Sequence, residues 1–458
     1  IVVLLLSHFY LITTTMKNLG RVTLNTKIKS SSNISFDESV CGMLFDLAYE
    51  TNVFDDYPIL EHYFGNNQTI LIHNLEEASM YGLKDDGFLH GIPYYHISMF
   101  YKYIDDDADL YITFAKCMDN NNQPTFDIVQ EIQLAACGRI FQLGVWTEQY
   151  LWIYDENKEI KFSPLLSELQ AQINTLMGIK GNLTNESSPF NIILSPCTAS
   201  IQDGIMIDFS IDFQKIPEGI DLGFNKVSVI LGQEGSDEIH TIQKAITNLT
   251  PVGLLGFAMA ALCLASAEMS IAYVGKFDLN KNDDIINPEL GFGNNAFRTI
   301  NDNNLMSSIN RIRQNVLSQK GYIIPVGYKA KEAGVFFSSD QTMSDDEFGT
   351  LTNNRVINKC RRIIRSVVLP NVNNNMMIDT STGKLSSTSA AIFQSDIIKS
   401  LDRYLVNSLN QSQISDRKVI IDTESRILNK DELLVKCTFI PVGTSDVINF
   451  IDDYELIN

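Results

Sequence analysis

The chain has no Cys-x-x-Cys pair. Its seven cysteines, at positions 41, 117, 137, 197, 263, 360 and 437, are odd in number and scattered, so neither a zinc site nor a disulfide framework is indicated. They fit a reducing compartment, as small buried apolar residues. Catalytic signatures are missing as well: there is no Gly-x-x-x-x-Gly-Lys-Ser/Thr loop, no Gly-x-Ser-x-Gly turn and no His-Glu-x-x-His helix. Positive charge is scarce. The 35 Lys and Arg stand against 55 Asp and Glu, for a formal net charge of −20 and a pI near 4.7. A nucleic-acid binder needs a dominant basic surface, so that class is set aside. A membrane-spanning run is lacking too. Ile1 to Ile12 is apolar apart from Ser7 and His8, but it is too short to span a bilayer and carries neither a basic leader nor a cleavage site. Residues 1–15 read as translated upstream sequence, with Met16-Lys17-Asn18 as the start. A membrane anchor in Ile1 to Ile12 is the alternative.

What is present is a long chain with real cores. Its 458 residues, 45% hydrophobic, suggest about two to four domains. Gly20 to Ile28 alternates, with Val22, Leu24, Thr26 and Ile28 on one face, and Ser30-Ser31-Ser32-Asn33 breaks it. At the other end Val447, Asn449 and Ile451 repeat the pattern. Each reads as a strand, paired either within its own domain or with a neighbour's sheet. Between them strands alternate with helices. Helices are expected over Asp37 to Tyr49, Leu75 to Gly82, Tyr94 to Ile104 and Leu165 to Met177. Strands are expected over Thr69 to His73, Asp109 to Lys116, Ile140 to Trp146, Asn191 to Pro196, Gly204 to Phe209 and Lys226 to Gly232. Phe126 to Ala136 fits either. This is the pattern of an α/β middle region. Pro251 to Val274 is the longest apolar stretch; Gly253, Gly256, Ala258, Ala260 and Ala261 make it a buried helix closely approached by its neighbours. Glu268 within it argues against a membrane span.

The remaining candidate chemistry is weak. His90 and His96 lie in a Gly/Pro-containing segment that does not put both on one helical face, so both read as structural or exposed. Gly232-Gln233-Glu234-Gly235-Ser236 lacks the lysine of a phosphate loop and reads as a turn. Asp278, Asn280, Asn282 and Glu289 fall at positions 1, 3, 5 and 12 of a calcium loop, but Asp283 replaces the required glycine. A solvated Asn/Asp loop is the expectation there, and no metal or cofactor is assigned.

The stretch from Gln319 to Asp379 organises the rest. Gly321 to Val326 and Gly334 to Phe337 read as two strands, and Asn353 to Leu369 as a helix ended by Pro370. A helical wheel puts Val356, Ile357, Cys360, Ile363, Ile364, Val367 and Val368 on one side, and Arg355, Lys359, Arg361, Arg362 and Arg365 on the other. Five positive charges without an acid, on so acidic a chain, read either as a solvated face or as a docking face for something acidic. A further helix is expected over Ser386 to Leu409, then strands over Ser415 to Asp422 and Leu433 to Pro441.

Taken in order, Gly321-Tyr322-Ile323, Gly334-Val335-Phe336-Phe337, Asn354-Arg355-Val356-Ile357-Asn358-Lys359, Val368-Leu369-Pro370-Asn371 and Ile440-Pro441-Val442-Gly443 resemble the C-terminal polymerisation domain of contractile tail sheath proteins. The resemblance covers Gln319 to Val447. It implies α/β and α+β architecture: an N-terminal arm (16–36), an outer α/β region (37–304) inserted before a small α+β polymerisation domain (305–446), and a C-terminal arm (447–458). It implies a structural subunit and not an enzyme. Such subunits polymerise as stacked hexameric rings around an inner tube and contract to drive that tube through a target envelope. Implied partners are other copies of the chain, the tube protein, and baseplate and terminator proteins, with no nucleic acid and no membrane insertion. The implied location is a virion tail or contractile particle assembled in the bacterial cytoplasm. Arg355, Lys359, Arg361, Arg362 and Arg365 would face the tube, and the strands at Val22 to Ile28 and Val447 to Ile451 would link subunits. The competing expectation is an oligomeric α/β enzyme with an unrecognised site in residues 37–304.

Overall fold

The computed structural model describes residues 37–47, 54–84, 88–104, 107–157, 159–177, 190–197, 216–234, 252–279, 297–298, 311–327, 334–347, 349–371, 374–406, 412–423 and 433–443. The arm residues Val22, Leu24, Thr26, Ile28, Val447, Asn449 and Ile451 lie outside them, as do residues 1–15, the strand expected at Gly204 to Phe209, and Asn280, Asn282 and Glu289.

In chain order the strands are β1 (Cys41–Asp46), β2 (Thr69–Ile72), β3 (Leu110–Ala115), β4 (Gln142–Tyr150), β5 (Trp152–Tyr154), β6 (Ile160–Phe162), β7 (Asn191–Cys197), β8 (Val227–Ile230), β9 (Gln233–Glu234), β10 (Phe297–Arg298), β11 (Tyr322–Ile323), β12 (Pro325–Gly327), β13 (Val335–Phe337), β14 (Ile414–Ile421) and β15 (Val435–Pro441). The helices are α1 (Pro58–Phe64), α2 (Leu75–Met80), α3 (Ile92–Ile104), α4 (Ile128–Ala135), α5 (Leu165–Met177), α6 (Leu255–Leu264), α7 (Arg311–Gln319), α8 (Leu351–Val368) and α9 (Ser387–Leu401).

Runs of consecutive buried residues set the architecture. Every residue from Val40 to Leu47 is buried, as are all six of β3 and all four of β8. Side chains hidden on both faces of a strand demand neighbours on both sides and cover above and below, which is the condition of a central parallel sheet. The sheet has seven strands, in the order β11-β8-β7-β4-β1-β3-β2, with β2 at one edge only partly buried. All pairings are parallel except β2 on β3 at one edge. One line of partners crosses the sheet from Tyr322 through Val229, Leu194, Val145, Leu44 and Thr113 to Thr69.

This sheet corrects the helix expected over Asp37 to Tyr49: Cys41–Asp46 is an interior strand of it, between β4 and β3. Helical spacing would leave one side of that stretch exposed, whereas every residue from Val40 to Leu47 is buried. Gly42 fits this crowded position, because a Cβ there would sit 3.0 Å from the side chains of Ile140 and Leu143.

Helices α3 and α6 pack against each other, and α6 lies on β4 and β7. The small-residue reading of α6 holds. A Cβ on Gly256 would come within 2.4 Å of the His96 carbonyl oxygen, and one on Gly144 of β4 within 2.8 Å of Leu255. The helix is shorter than the sequence suggested, ending at Leu264. His96 is wholly buried: its Nε2–H donates to the Val252 carbonyl at 2.7 Å and its Nδ1 accepts from the Gly256 amide at 3.2 Å. Burial lowers its pKa to about 3, which keeps the ring neutral, as both bonds require. The histidine is therefore structural, as expected.

The expected first strand of the polymerisation region divides. Tyr322–Ile323 extends the large sheet beside β8, while Pro325–Gly327 pairs antiparallel with Val335–Phe337. The Tyr322 hydroxyl accepts from Trp152 Nε1 at 3.2 Å and donates to the Pro217 carbonyl at 2.8 Å, tying this edge down. Leu317, Tyr322, Val335, Phe337 and Leu351 all join the larger core. The boundary drawn at 304/305 therefore does not coincide with the division between cores. A second core gathers around α8, α9 and the antiparallel ribbon β14–β15, from Val356, Cys360 and Ile363 to Phe393, Ile397, Leu401, Val419 and Ile421. The two cores meet along α8.

Candidate assembly surface

Helix α8 starts where Thr350 Oγ1 accepts the Asn353 amide at 3.2 Å, a side-chain cap. It ends in the short turn Leu369–Asn371 that contains Pro370. Most of its apolar side is as read from the sequence: Val356, Cys360, Ile363 and Ile364 enter the second core and Val367 and Val368 pack against it, while Ile357 is half-buried. Its cationic side is not the open face expected.

Arg355 is 1% exposed, Arg362 1% and Lys359 6%. Arg355 closes the end of α6, donating from Nη2 to the Leu262 and Ala265 carbonyls at 3.0 and 2.8 Å and from Nη1 to the Ser266 carbonyl at 3.1 Å. The last carbonyls of a helix have no partner within it and carry its negative dipole end, so a cation suits them. Arg362 donates to the Arg139 carbonyl at 3.3 Å and to the Ile140 carbonyl, and stacks 4.7 Å over the Phe141 ring. Lys359 pairs with Glu38 at 2.8 Å. Burial lowers the pKa of both arginines. The interior carbonyls and the phenyl face are what reward keeping the charge there.

Neighbouring amides extend this inward-facing polar side. Lys226, fully buried just before β8, donates to Asn354 Oδ1 at 2.5 Å and Asn358 Oδ1 at 3.2 Å, and Asn358 donates to Asn191 Oδ1 at 3.3 Å. Burial holds the Lys226 ammonium well below the usual lysine range. Residues 38, 139–140, 191 and 226 all lie at or just before the amino ends of β1, β4, β7 and β8, so α8 lies across that end of the sheet. The tube-facing assignment is therefore corrected for Arg355, Lys359 and Arg362: they are committed to the chain's own groups. Arg361 is exposed and Arg365 half-buried. Periodicity found the two faces of α8 but not their surroundings. The available signal was Asn354 and Asn358 spaced four apart among the cations, a polar face without acids of its own.

At the opposite, carboxyl ends of the strands, where open α/β sheets commonly hold ligands, Asp46 of β1 is buried. It accepts from the Cys117 amide at 2.8 Å, and from Thr147 Oγ1 and Gln149 Nε2 at 2.6 Å each. Burial raises its pKa, and these three donors oppose that. The arrangement ties β1, the end of β3 and β4 together. Asp278, first of the candidate calcium-loop residues, accepts the Val335 amide at 3.0 Å, and its carbonyl accepts Tyr103 Oη at 3.0 Å. Among the described residues no group of three or more His, Cys, Asp or Glu side chains is placed to hold a metal. No described helix is long and apolar enough to cross a membrane.

The β14–β15 ribbon is the other exposed feature. Among the described residues its strands pair only with each other, from Ile414–Pro441 to Ile421–Val435. Val419 and Ile421 point into the second core, while Ile420, Leu434 and Ile440 are 45%, 58% and 53% exposed. A two-stranded ribbon is marginal alone, and the edge of such a ribbon is where a further strand can add.

No protein-family model matches the sequence, and no curated protein matches it. Solved structures do. The chain is similar to the helical sheath of the anti-feeding prophage in its contracted state, at 10% identity with a TM-score of 0.52, over 92% of this chain and 97% of that one. A chain of the anti-feeding prophage baseplate aligns at 10% identity with a TM-score of 0.49, over 92% and 94%. The contracted sheath complex of the extracellular contractile injection system PVC aligns at 11% identity with a TM-score of 0.47, over 91% and 92%. The first of these shows a shared fold across nearly the whole of both chains.

Proposed function

We propose that this chain is the structural subunit of a contractile sheath, which polymerises as stacked hexameric rings around an inner tube and contracts to drive it through a target envelope. The observation that carries the reading is the fold shared with a contracted helical sheath over 92% of the chain. The open ribbon supports it locally. Terminal strands, from residues 16–36 and 447–458, add to the β14–β15 edges of neighbouring copies by β-augmentation, where backbone hydrogen bonds supply affinity. The larger core lies outside and carries ring-to-ring contacts; the second core, with β14–β15, is the polymerising unit. Contraction draws on burial gained between subunits, a bistable rearrangement of packed surfaces that needs no nucleotide. Baseplate and terminator proteins close the polymer, and the particle assembles in the bacterial cytoplasm. Tube contact through α8 is kept for Arg361 and Arg365, where a grip on an acidic tube would be weak and salt-sensitive.

The test is sedimentation and negative-stain electron microscopy of the full chain at high concentration and low salt. Tubes or stacked rings are expected, and monomers throughout would overturn the reading. For the tube contact, reversing charge at Arg361 and Arg365 should release added tube protein at lower salt than wild type. An unchanged salt profile removes that role.

A further inference from the structure

The carboxylate of Glu38 joins three separated parts of the chain. Lys359 Nζ, near the middle of α8, lies 2.8 Å from both Oε1 and Oε2. Gln413 Nε2, immediately before β14, donates to Oε1 at 3.3 Å. The backbone carbonyl of Glu38 accepts from Gln142 Nε2 of β4 at 2.9 Å and from Arg355 Nη2 at 3.5 Å. Gln413 is itself pinned: its amide donates to the Leu405 carbonyl at 2.8 Å, and its carbonyl accepts the Val442 amide at 3.4 Å. By chain connectivity alone, residues 16–36 enter the subunit beside Glu38 and residues 447–458 leave it shortly after Val442.

The side chains are sheltered, with Lys359 8% and Glu38 19% exposed. Salt screens such a pair less than a surface pair, and removing one partner leaves a sheltered charge behind. Glu38 leads into β1 of the larger core, Gln413 into β14 of the second, and Lys359 lies on the helix shared by both.

We infer that Glu38, Lys359 and Gln413 form a clasp that fixes the common root of both terminal segments to α8, so that tension carried by either segment enters the subunit at the helix joining its two cores. The transmission of tension rests on the sheath reading; the clasp rests on its own geometry.

The test uses the full chain with Lys359→Met, Glu38→Gln, and the exchange E38K/K359E. Hydrogen exchange is followed at residues 38–41, 413 and 442, with amides of α3 and α6 as internal controls. Exchange at the clasp should quicken about ten-fold or more in either single variant while the controls hold, and the charge exchange should recover part of the protection. Unchanged exchange in both single variants, or a charge-exchanged variant no better protected than either, overturns the clasp. Polymerisation is scored separately. If the wild-type chain forms no polymer, the sheath reading fails and the exchange data still decide the clasp. If it polymerises, and variants with a loosened clasp form polymers equally resistant to dilution, the mechanical role is overturned.

Discussion

Arg355→Met asks what the basic helix is for. In the native chain three carbonyls at the end of α6 receive the Arg355 guanidinium at 2.8–3.1 Å, in a site where the side chain is 1% exposed. Methionine fills comparable volume without donors. Each buried carbonyl left without a partner costs about 1–3 kcal/mol. Against this, the variant no longer holds a charge away from water, which recovers several kcal/mol. Three carbonyls at that cost outweigh the recovered term, and a net loss of about 1–3 kcal/mol is expected. Arg361→Met, six positions along the same helix but exposed, should fall within about 0.5 kcal/mol of wild type. Urea unfolding followed by tryptophan fluorescence reads this well. Both tryptophans of the chain, Trp146 and Trp152, lie in the larger core against which Arg355 acts. An Arg355→Met variant within about 1 kcal/mol of wild type would refute the capping argument, and so would an Arg361→Met variant that is equally damaging.

Other outcomes follow from the same packing. Gly256→Ala places a Cβ 2.4 Å from the His96 carbonyl and must push α3 from α6; a loss of about 1–3 kcal/mol or more in the same urea assay is expected, and a neutral result would mean the helices are not in contact. His96 has its pKa lowered from 6.5 to about 3 by burial. Between those values the unfolded chain binds the proton and the folded chain does not. The resulting stability is fully present above about pH 6.5 and is lost toward pH 3, at up to about 1.4 kcal/mol per pH unit. Unfolding measured at pH 7 and pH 5 should show a slope that His96→Gln reduces, and an undiminished slope would contradict the assignment. Asp46→Ala strands the Cys117 amide, Thr147 and Gln149, with an expected cost of about 2–4 kcal/mol by the same assay.

How far the sequence spoke depended on what decided each element. Amphipathic pieces such as Leu165–Met177 and Leu351–Val368 were legible because their periodicity is the cause of their burial. Cys41–Asp46 was misread because a strand buried on both faces has no alternation to detect, and a short apolar run fits either element. Pro251 to Val274 was drawn too long: nothing local marks Leu264 as the end, and the partner that closes it, Arg355, is 90 residues away. Separation along the chain also explains the misplaced role of Arg355, Lys359 and Arg362, whose partners lie 90, 321 and 222 residues away. A helical wheel separates polar from apolar, but it does not say whether the polar side meets water or a row of carbonyls from a distant part of the fold.

The most direct measurement is a cryo-electron microscopy map of the assembled full-length chain, detailed enough to trace which copy supplies each strand. The account predicts a helical polymer in which the β14–β15 ribbon is completed by terminal strands of adjacent copies, leaving from the Glu38–Lys359–Gln413 cluster. A map in which both terminal segments fold back onto their own subunit would contradict it.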